Sequence, residues 1–332
     1  MNIKTVARLA GVSPTTVSRV FSGSAPVDSK TARRVRQAAD RAGYIPNRYA
    51  RALGSGRSRT YGLIISDIAN PFFPDLVKAF EQKARDFGYE TLVVDTDYEV
   101  ERMEQCVRRM IEYKVDGVAI MTSEVAPNLV QVLTRRQIPM VFLDTGTVGS
   151  LISNIVIDYD QGIRLAIDHL TGFGHNRIAF IEGPSTLKSA ILRRDAFRKS
   201  MRRCHLPVDP AYLVRGDHTI EGGRDALNEL ISVRTPPTAV LCSNDLTAVG
   251  ALSAAHMRGI NVPQKLSIVG FDDIHLSTLV QPALTTIRVP RCEIATRAFT
   301  FLYGAAHDRS KQGLVHNIPV DLVQRGSTGP VP

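Results

Sequence analysis

At 332 residues the chain is too long for one hydrophobic core and suits two or three domains. Apolar residues make up 44% and charged residues 22%, so it is ordinary globular material, and 6% aromatics with no Trp argue against a large aromatic stacking surface. Cys106, Cys204, Cys242 and Cys292 lie far apart with no CxxC, which excludes a sequence-visible zinc site or disulfide framework.

The first residues, MNIKTVARLAGVS, hold no apolar signal core, and no apolar run reaches the ~20 residues that span a bilayer, so a cytoplasmic protein without membrane contact is expected. The net charge of +9 is unevenly placed. Residues 1–60 hold 12 Lys and Arg against Asp28 and Asp40, whereas the other 272 residues hold 29 basic and 30 acidic groups. A footprint of this kind attracts a polyanion: nucleic acid first, an anionic membrane second, with a merely solvated basic face as the bland alternative.

In chain order, Ile3, Val6, Ala7 and Ala10 recur at helical spacing behind the N-cap Asn2, and Gly11 supplies the left-handed turn that ends this first helix. Ser13 is the next N-cap with Pro14 at the first helical position, and Val17, Val20 and Phe21 form the inward face. A third helix starts at Asp28, with Thr31, Val35, Ala38 and Ala39 as its buried stripe until Gly43. Three short helices with a three-residue turn between the first two fit a helix-turn-helix reader of DNA. Thr15, Thr16 and Arg19 lie opposite Val17 and Val20; Thr can bond a base edge or pack on a thymine methyl, and Arg can bond a guanine bidentately. The stretch Asn47 to Leu53 allows at most two helical turns, too few to persist alone in water, and GSGRS after it is flexible.

From Tyr61 onward strands alternate with helices. Short β-rich runs occur at 61–67, 91–96, 115–122 and 139–144, and after NIVID (154–158) at 177–183, 212–217, 238–244 and 266–273. The reading is α/β, with two similar lobes, each an open parallel sheet covered by helices and with the ligand site in the crevice between them. Strand ends carry Asp67, Asp95, Asp144, Asp217, Asn244 and Asp272; Asp95 and Asp217 are expected to cap the following helices instead. GLVHNIPVDLVQ (313–324) reads as strand-like, and the closing RGSTGPVP has no heptads.

The runs TVARLAGVSPTTVSRVFSGSAPVDSKTARRV and AGYIPNRYARAL resemble the N-terminal headpiece of the LacI/GalR family of bacterial transcription regulators. The similarity continues through IISDIANPFFPDLVKAFEQKARDFGY, VDGVAIMTS, SNDLTAVGAL, VGFDD and PALTTIRVP, and is weakest after about residue 305. The resemblance implies a three-helix headpiece (1–46), a hinge helix and linker (47–60), and a two-lobed core like the periplasmic binding proteins (61–332). Its lobes would be 61–157 with 290–320, and 158–289 with 321–332.

Operator contacts would come from Thr5, Ser13, Pro14, Thr15, Thr16, Ser18, Arg19 and Asn47. Ala50 would let two hinge helices approach, and Leu53 would wedge into the minor groove, although a helical leucine more often packs on its own domain. Asn70, Phe72, Phe73, Asp144, Ser189, Arg193, His218, Asn244 and Asp272 would hold the effector, with Arg193 and Asp272 each suited to adjacent hydroxyls. Arg193 could instead be a surface ion-pair residue. His218 and Leu187 replace a stacking phenylalanine and a second arginine of the purine-repressor branch, so a sugar or sugar acid is expected rather than a purine. His218 could hydrogen-bond a hydroxyl, meet a carboxylate, or be a solvent-facing turn residue.

The expected partners are a pseudo-palindromic duplex operator, a small carbohydrate effector and a second copy in a homodimer, since the tail lacks the helix that makes some members tetramers. No cofactor is expected. Catalysis is disfavoured, because GxxxxGK[ST], GxSxG and HExxH are absent and Gly54–Gly56 follows a helix rather than a strand. A transport-type sugar-binding protein would share the core but have no use for the basic headpiece.

Overall fold

The computed structural model describes residues 2–22, 25–45, 57–122, 127–144, 146 and 148–332. Asn47, Ala50 and Leu53 lie outside these.

The headpiece follows its capping residues. Helix α1 (Ile3–Ala10) starts where the Asn2 side chain accepts the Thr5 N–H, and ends at Gly11 with φ 61°. Helix α2 (Pro14–Ser22) starts where Ser13 Oγ accepts the Thr16 N–H at 3.1 Å, and α3 (Ser29–Arg41) where Asp28 accepts the Thr31 N–H at 3.0 Å. The apolar stripes meet in a small core of Val6, Ala7, Ala10, Val17, Val35, Ala38, Ala39 and Ala42, with Val20 and Phe21 packed at its margin.

The first lobe runs β1 (Thr60–Ile65), α4 (Phe72–Asp86), β2 (Glu90–Asp95), α5 (Val100–Glu112), β3 (Gly117–Met121), α6 (Pro127–Arg135), β4 (Met140–Leu143) and β5 (Ile152–Ile157). The chain then builds the second lobe: α7 (Tyr159–Gly172), β6 (Ile178–Glu182), α8 (Lys188–Arg203), β7 (Leu213–Arg215), α9 (Ile220–Ile231), β8 (Ala239–Cys242), α10 (Asp245–Met257), β9 (Ser267–Asp272), α11 (Leu276–Leu279) and β10 (Thr285–Arg288). It returns to the first with α12 (Arg291–His307) and β11 (Val315–Ile318), and finishes on the second with β12 (Asp321–Val323).

The sheets are ordered β11-β5-β4-β3-β1-β2 and β12-β10-β9-β8-β6-β7. Pairing is parallel except for β12, which runs antiparallel to β10. In each sheet the strand order reverses beside its first strand, β1 or β6, which opens a crevice at the carboxyl ends. The chain crosses between lobes after β5, β10 and β11.

Two details differ from the sequence reading. The segment 313–324 is two strands in different sheets: Pro319, lacking an N–H for a ladder, separates β11 from β12. Thr285–Arg288, short and bounded by prolines, is a strand the alternation did not single out.

Candidate ligand pocket and DNA-reading face

A cavity of ≈ 80 Å³ opens where the carboxyl ends of the two sheets face each other. At about 10–15 Å³ for one water this is room for a small metabolite rather than a lone solvent molecule. One wall comes from the first lobe. Ser66 follows β1 and donates to Thr122 Oγ1, after β3, at 2.9 Å. Asn70 Oδ1 accepts the Phe72 N–H at 3.0 Å, setting Phe72 and Phe73 at the start of α4 as an apolar face, and Asn70 Nδ2 reaches the Tyr98 hydroxyl at 3.4 Å.

Asp144 follows β4. Its carboxylate accepts the Ile157 N–H at 3.0 Å and the Tyr159 hydroxyl at 2.7 Å. Burial raises the Asp144 pKa against the pull of those donors, and raises that of the Tyr159 hydroxyl as well.

The opposite wall is built on Arg193, projecting from α8. Its guanidinium donates to the Ser243 carbonyl at 2.6 Å and to Asp272 Oδ1 at 3.1 Å, and stacks 4.3 Å from the Phe271 ring centroid and 5.1 Å from that of Tyr159. With 6% of its surface exposed, Arg193 is no surface ion-pair residue. Its Nε has no partner. Asp272 ends β9 at 4% exposure, and burial raises its pKa to about 6 although Arg193 and Arg291 pull it down.

Asn244 does two things: Oδ1 caps α10 by accepting the Thr247 N–H at 2.9 Å, and Nδ2 donates to the His218 carbonyl at 3.2 Å. His218 lines the cavity with Nε2 2.9 Å from Ser243 Oγ, so it is not a solvent-facing turn residue. Burial, reinforced by Arg193, lowers its pKa to about 3, so the imidazole is neutral and can only hydrogen-bond, not ion-pair with, a carboxylate. A Cβ on Gly183 would come within 2.1 Å of that ring nitrogen, so glycine there makes room for it.

Backbone strain occurs at the cavity as well. Asp144 (φ 61°), His218 (66°) and Asp272 (119°) all hold left-handed backbone without being glycine. Such conformations cost on the order of 1–3 kcal/mol each and persist where the surroundings impose them.

Asn70, Phe72, Phe73, Asp144, Ser189, Arg193, His218, Asn244 and Asp272 thus line one cavity, and Leu187 joins them. Sequence reasoning missed Ser66, Tyr98, Met121, Thr122, Leu143, Ile157 and Tyr159. The polar strand-end positions of Ser66 and Thr122 were the available signal for those two. Asp67 binds the Ala69 N–H at 2.7 Å and does not line the cavity.

The expectation for the two other aspartates needs correction. Helix α5 is preceded by Glu99, which makes no side-chain cap, and Asp95 is remote from that position. Thr219 caps α9, and Asp217 supports it at one remove by accepting the Thr219 N–H and hydroxyl at 2.9 and 2.6 Å. The loops between strand and helix are long enough for a later residue to take the cap.

In the headpiece, Ser13, Pro14, Thr15, Ser18 and Arg19 are exposed along α2 and its start. Thr16 is half-buried with Oγ1 3.0 Å from Ser13 Oγ, and Thr5 is half-buried against Asn2 Oδ1 at 3.2 Å. The same small domain also exposes the cations Lys30, Arg33, Arg34 and Arg36 of α3, and polar groups able to read base edges together with a phosphate-attracting field suit a duplex. Among the described residues, no group of three or more His, Cys, Asp or Glu could hold a metal ion, and no helix is long and apolar enough to cross a membrane.

Comparison with known proteins finds two family models on separate stretches of the chain. Residues 2–47 match the model of bacterial regulatory proteins of the lacI family, and residues 167–328 match that of the periplasmic binding protein-like domain. The chain is 34% identical over 330 residues to the HTH-type transcriptional repressor CytR of Escherichia coli K12, covering 99% of this chain and 97% of that one. It is 32% identical over 331 residues to catabolite control protein A of Priestia megaterium, with 99% of both covered. Among solved structures, the lac repressor dimer bound to operator and the anti-inducer ONPF superposes with a TM-score of 0.86 at 28% identity over 99% of both chains. The CelR–cellobiose complex superposes with a TM-score of 0.74 at 26% identity, covering 98% of this chain and 99% of that one.

Proposed function

The chain belongs to the lacI family of bacterial regulatory proteins and is a DNA-binding transcriptional repressor under ligand control, not an enzyme; from that premise we propose that its ligand is a carbohydrate held between the lobes by Arg193, Asp272, Asn244 and Asp144. The observation that carries this reading is the Arg193–Asp272 pair: a buried guanidinium and carboxylate 3.1 Å apart at the cavity wall, each able to bond a sugar hydroxyl, opposite Phe72 and Phe73 for the ring's apolar face. Cellobiose and ribose, bound by two structural relatives, belong to the same chemical class.

Between neutral sugars and sugar acids, the charge balance favours the neutral ones. Arg193 is already committed to Asp272, Asp144 brings a second buried carboxyl, and His218 offers no positive charge.

The protein acts as a homodimer on a pseudo-palindromic operator in the cytoplasm, one headpiece per half-site. Helix α2 reads bases through Thr15, Thr16 and Arg19, with Thr5, Ser13, Pro14 and Ser18 at its margins, while Asn47, Ala50 and Leu53 serve the hinge. The ligand favours one arrangement of the lobes, which changes the placement of the hinges and so operator affinity.

A thermal-shift panel of neutral sugars, sugar acids and nucleosides tests the ligand class. A neutral sugar should raise the melting temperature of the wild type. Arg193→Ala should abolish that shift while keeping operator binding. A shift by nucleosides alone, or one that survives Arg193→Ala, would reject the assignment.

A further inference from the structure

The point where the chain enters the core is unusually well built. Before β1 begins, the N–H groups of Ser58 and Arg59 both donate to one carboxylate, that of Asp116, at 3.1 and 2.9 Å. Arg59 is left-handed, with φ 53°, although it is not glycine. The Arg57 guanidinium donates to the carbonyl of Ala306 near the end of α12 at 3.1 Å, and Ser58 Oγ accepts the Thr60 N–H at 3.2 Å. The Asp116 N–H itself closes onto the Thr60 carbonyl at 2.8 Å.

Two local costs are concentrated here. Asp116 is buried, and burial raises its pKa even though Ser58, Arg59 and Arg57 favour the carboxylate. A left-handed arginine adds strain. β1 pairs from Thr60 onward with β2 and from Tyr61 onward with β3, and the Arg59 carbonyl adds one rung by accepting the Glu90 N–H at 2.9 Å, so the Asp116 carboxylate and the left-handed turn sit at the end of the ladder rather than within it. What the arrangement does fix is the direction in which the chain leaves the core toward the headpiece.

We propose that Asp116 is a positioning residue for DNA recognition, whose carboxylate holds residues 58 and 59 as a rigid mount and thereby sets the half-site spacing that the dimer accepts. This rests on the reading of the protein as a dimer bound to a two-fold operator. Of the GSGRS stretch expected to be flexible, Arg57 and Ser58 are instead held to the core, and each headpiece reaches its half-site from there, so freedom at the mount becomes tolerance of spacing. Hydrogen bonds to a charged group are stronger than those between neutral groups, and two of them on one carboxylate can hold a strained turn.

The test uses the full chain. Duplexes selected from a random pool by the wild type define its operator, and affinity is then measured on that operator and on versions with the centre lengthened or shortened by one and two base pairs. The wild type should lose about tenfold or more per changed pair, the scale of a mismatched position. Asp116→Asn keeps the shape, removes the charge and offers one acceptor where there were two; it should bind all spacings within about threefold of each other. Its dimer state and affinity for a non-operator duplex should match the wild type, with a melting temperature lowered by no more than about a few degrees. Asp116→Ala should relax spacing at least as far.

An Asp116→Asn protein that keeps the wild-type spacing preference, or loses affinity equally on every duplex, overturns the proposal. A wild type that selects no preferred duplex overturns the operator premise itself, and the proposal with it.

Discussion

Asp272 holds a carboxyl whose proton affinity is set by burial, with Arg193 and Arg291 opposing, at about 6. An unfolded aspartate takes its proton near 4. Native Asp272 is therefore protonated first as pH falls, so its contribution to stability is fully present below the ordinary carboxylate range and is lost as pH rises through about 6. Ligand binding has the opposite dependence. The ionised form accepts from Arg193 and is the form suited to a sugar hydroxyl, so ligand affinity should weaken by about tenfold per pH unit below 6 while folding stability does not fall with it. Titrations of the identified ligand from pH 8 to 5 measure this, and Asp272→Asn should flatten the profile. His218, neutral down to about pH 3, cannot supply that inflection; a bend that persists in Asp272→Asn would assign it elsewhere. Asp144, Asn244 and Asp272 were legible in the sequence because strand ends face a ligand in any open α/β sheet. Tyr159 was not, since it opens a helix just past a crossing and reaches the cavity through its bond to Asp144.

Elements were legible to the extent that their information is local. The caps Asn2, Ser13 and Asp28, the turn at Gly11 and the apolar stripes of α1 to α3 are written in consecutive residues, and the headpiece follows them. The split of 313–324 between β11 and β12 was not, because which sheet takes each half depends on partners, β5 and β10, well over a hundred and about thirty-five residues away. The contact of α9 with α10 is likewise a tertiary fact. A Cβ on Gly250 would lie 2.0 Å from the Ile220 carbonyl oxygen and one on Gly223 2.2 Å from that of Thr247, so the two backbones touch. In isolation Gly250→Ala would favour the helix by about 1 kcal/mol. Here the methyl meets backbone that cannot swing aside, and an overpacking cost of about 1–3 kcal/mol or more should outweigh that gain. Denaturant unfolding of the full chain checks the sign: a midpoint at or above the wild-type value would show that the helices separate freely.

Over the whole molecule, charge and ligand chemistry are segregated. The basic excess lies in residues 1–60, where it attracts phosphate regardless of sequence, while the core is close to neutral and holds a cavity with its own acids and one buried guanidinium. The proposed coupling through the arrangement of the lobes does not need a shared field, since long-range fields between exposed charges are screened at ordinary salt. Salt and ligand should then act separately on DNA binding. Each phosphate neutralised contributes about −0.9 to the slope of log affinity against log salt, so two headpieces making six to ten such contacts should lose about 10³-fold or more between 50 and 200 mM. Ligand should shift the height of that line by a constant amount and leave its slope unchanged if both states keep the same phosphate contacts. Replacing Arg33 and Arg34 by Ala should flatten the slope without altering the ligand's effect, since neither side chain belongs to the pocket. Operator titrations at four salt concentrations, with and without ligand, separate these quantities. If ligand flattens the slope as strongly as the double substitution, it acts by lifting headpieces off the phosphates, and control through hinge placement on a still-bound duplex would have to be abandoned.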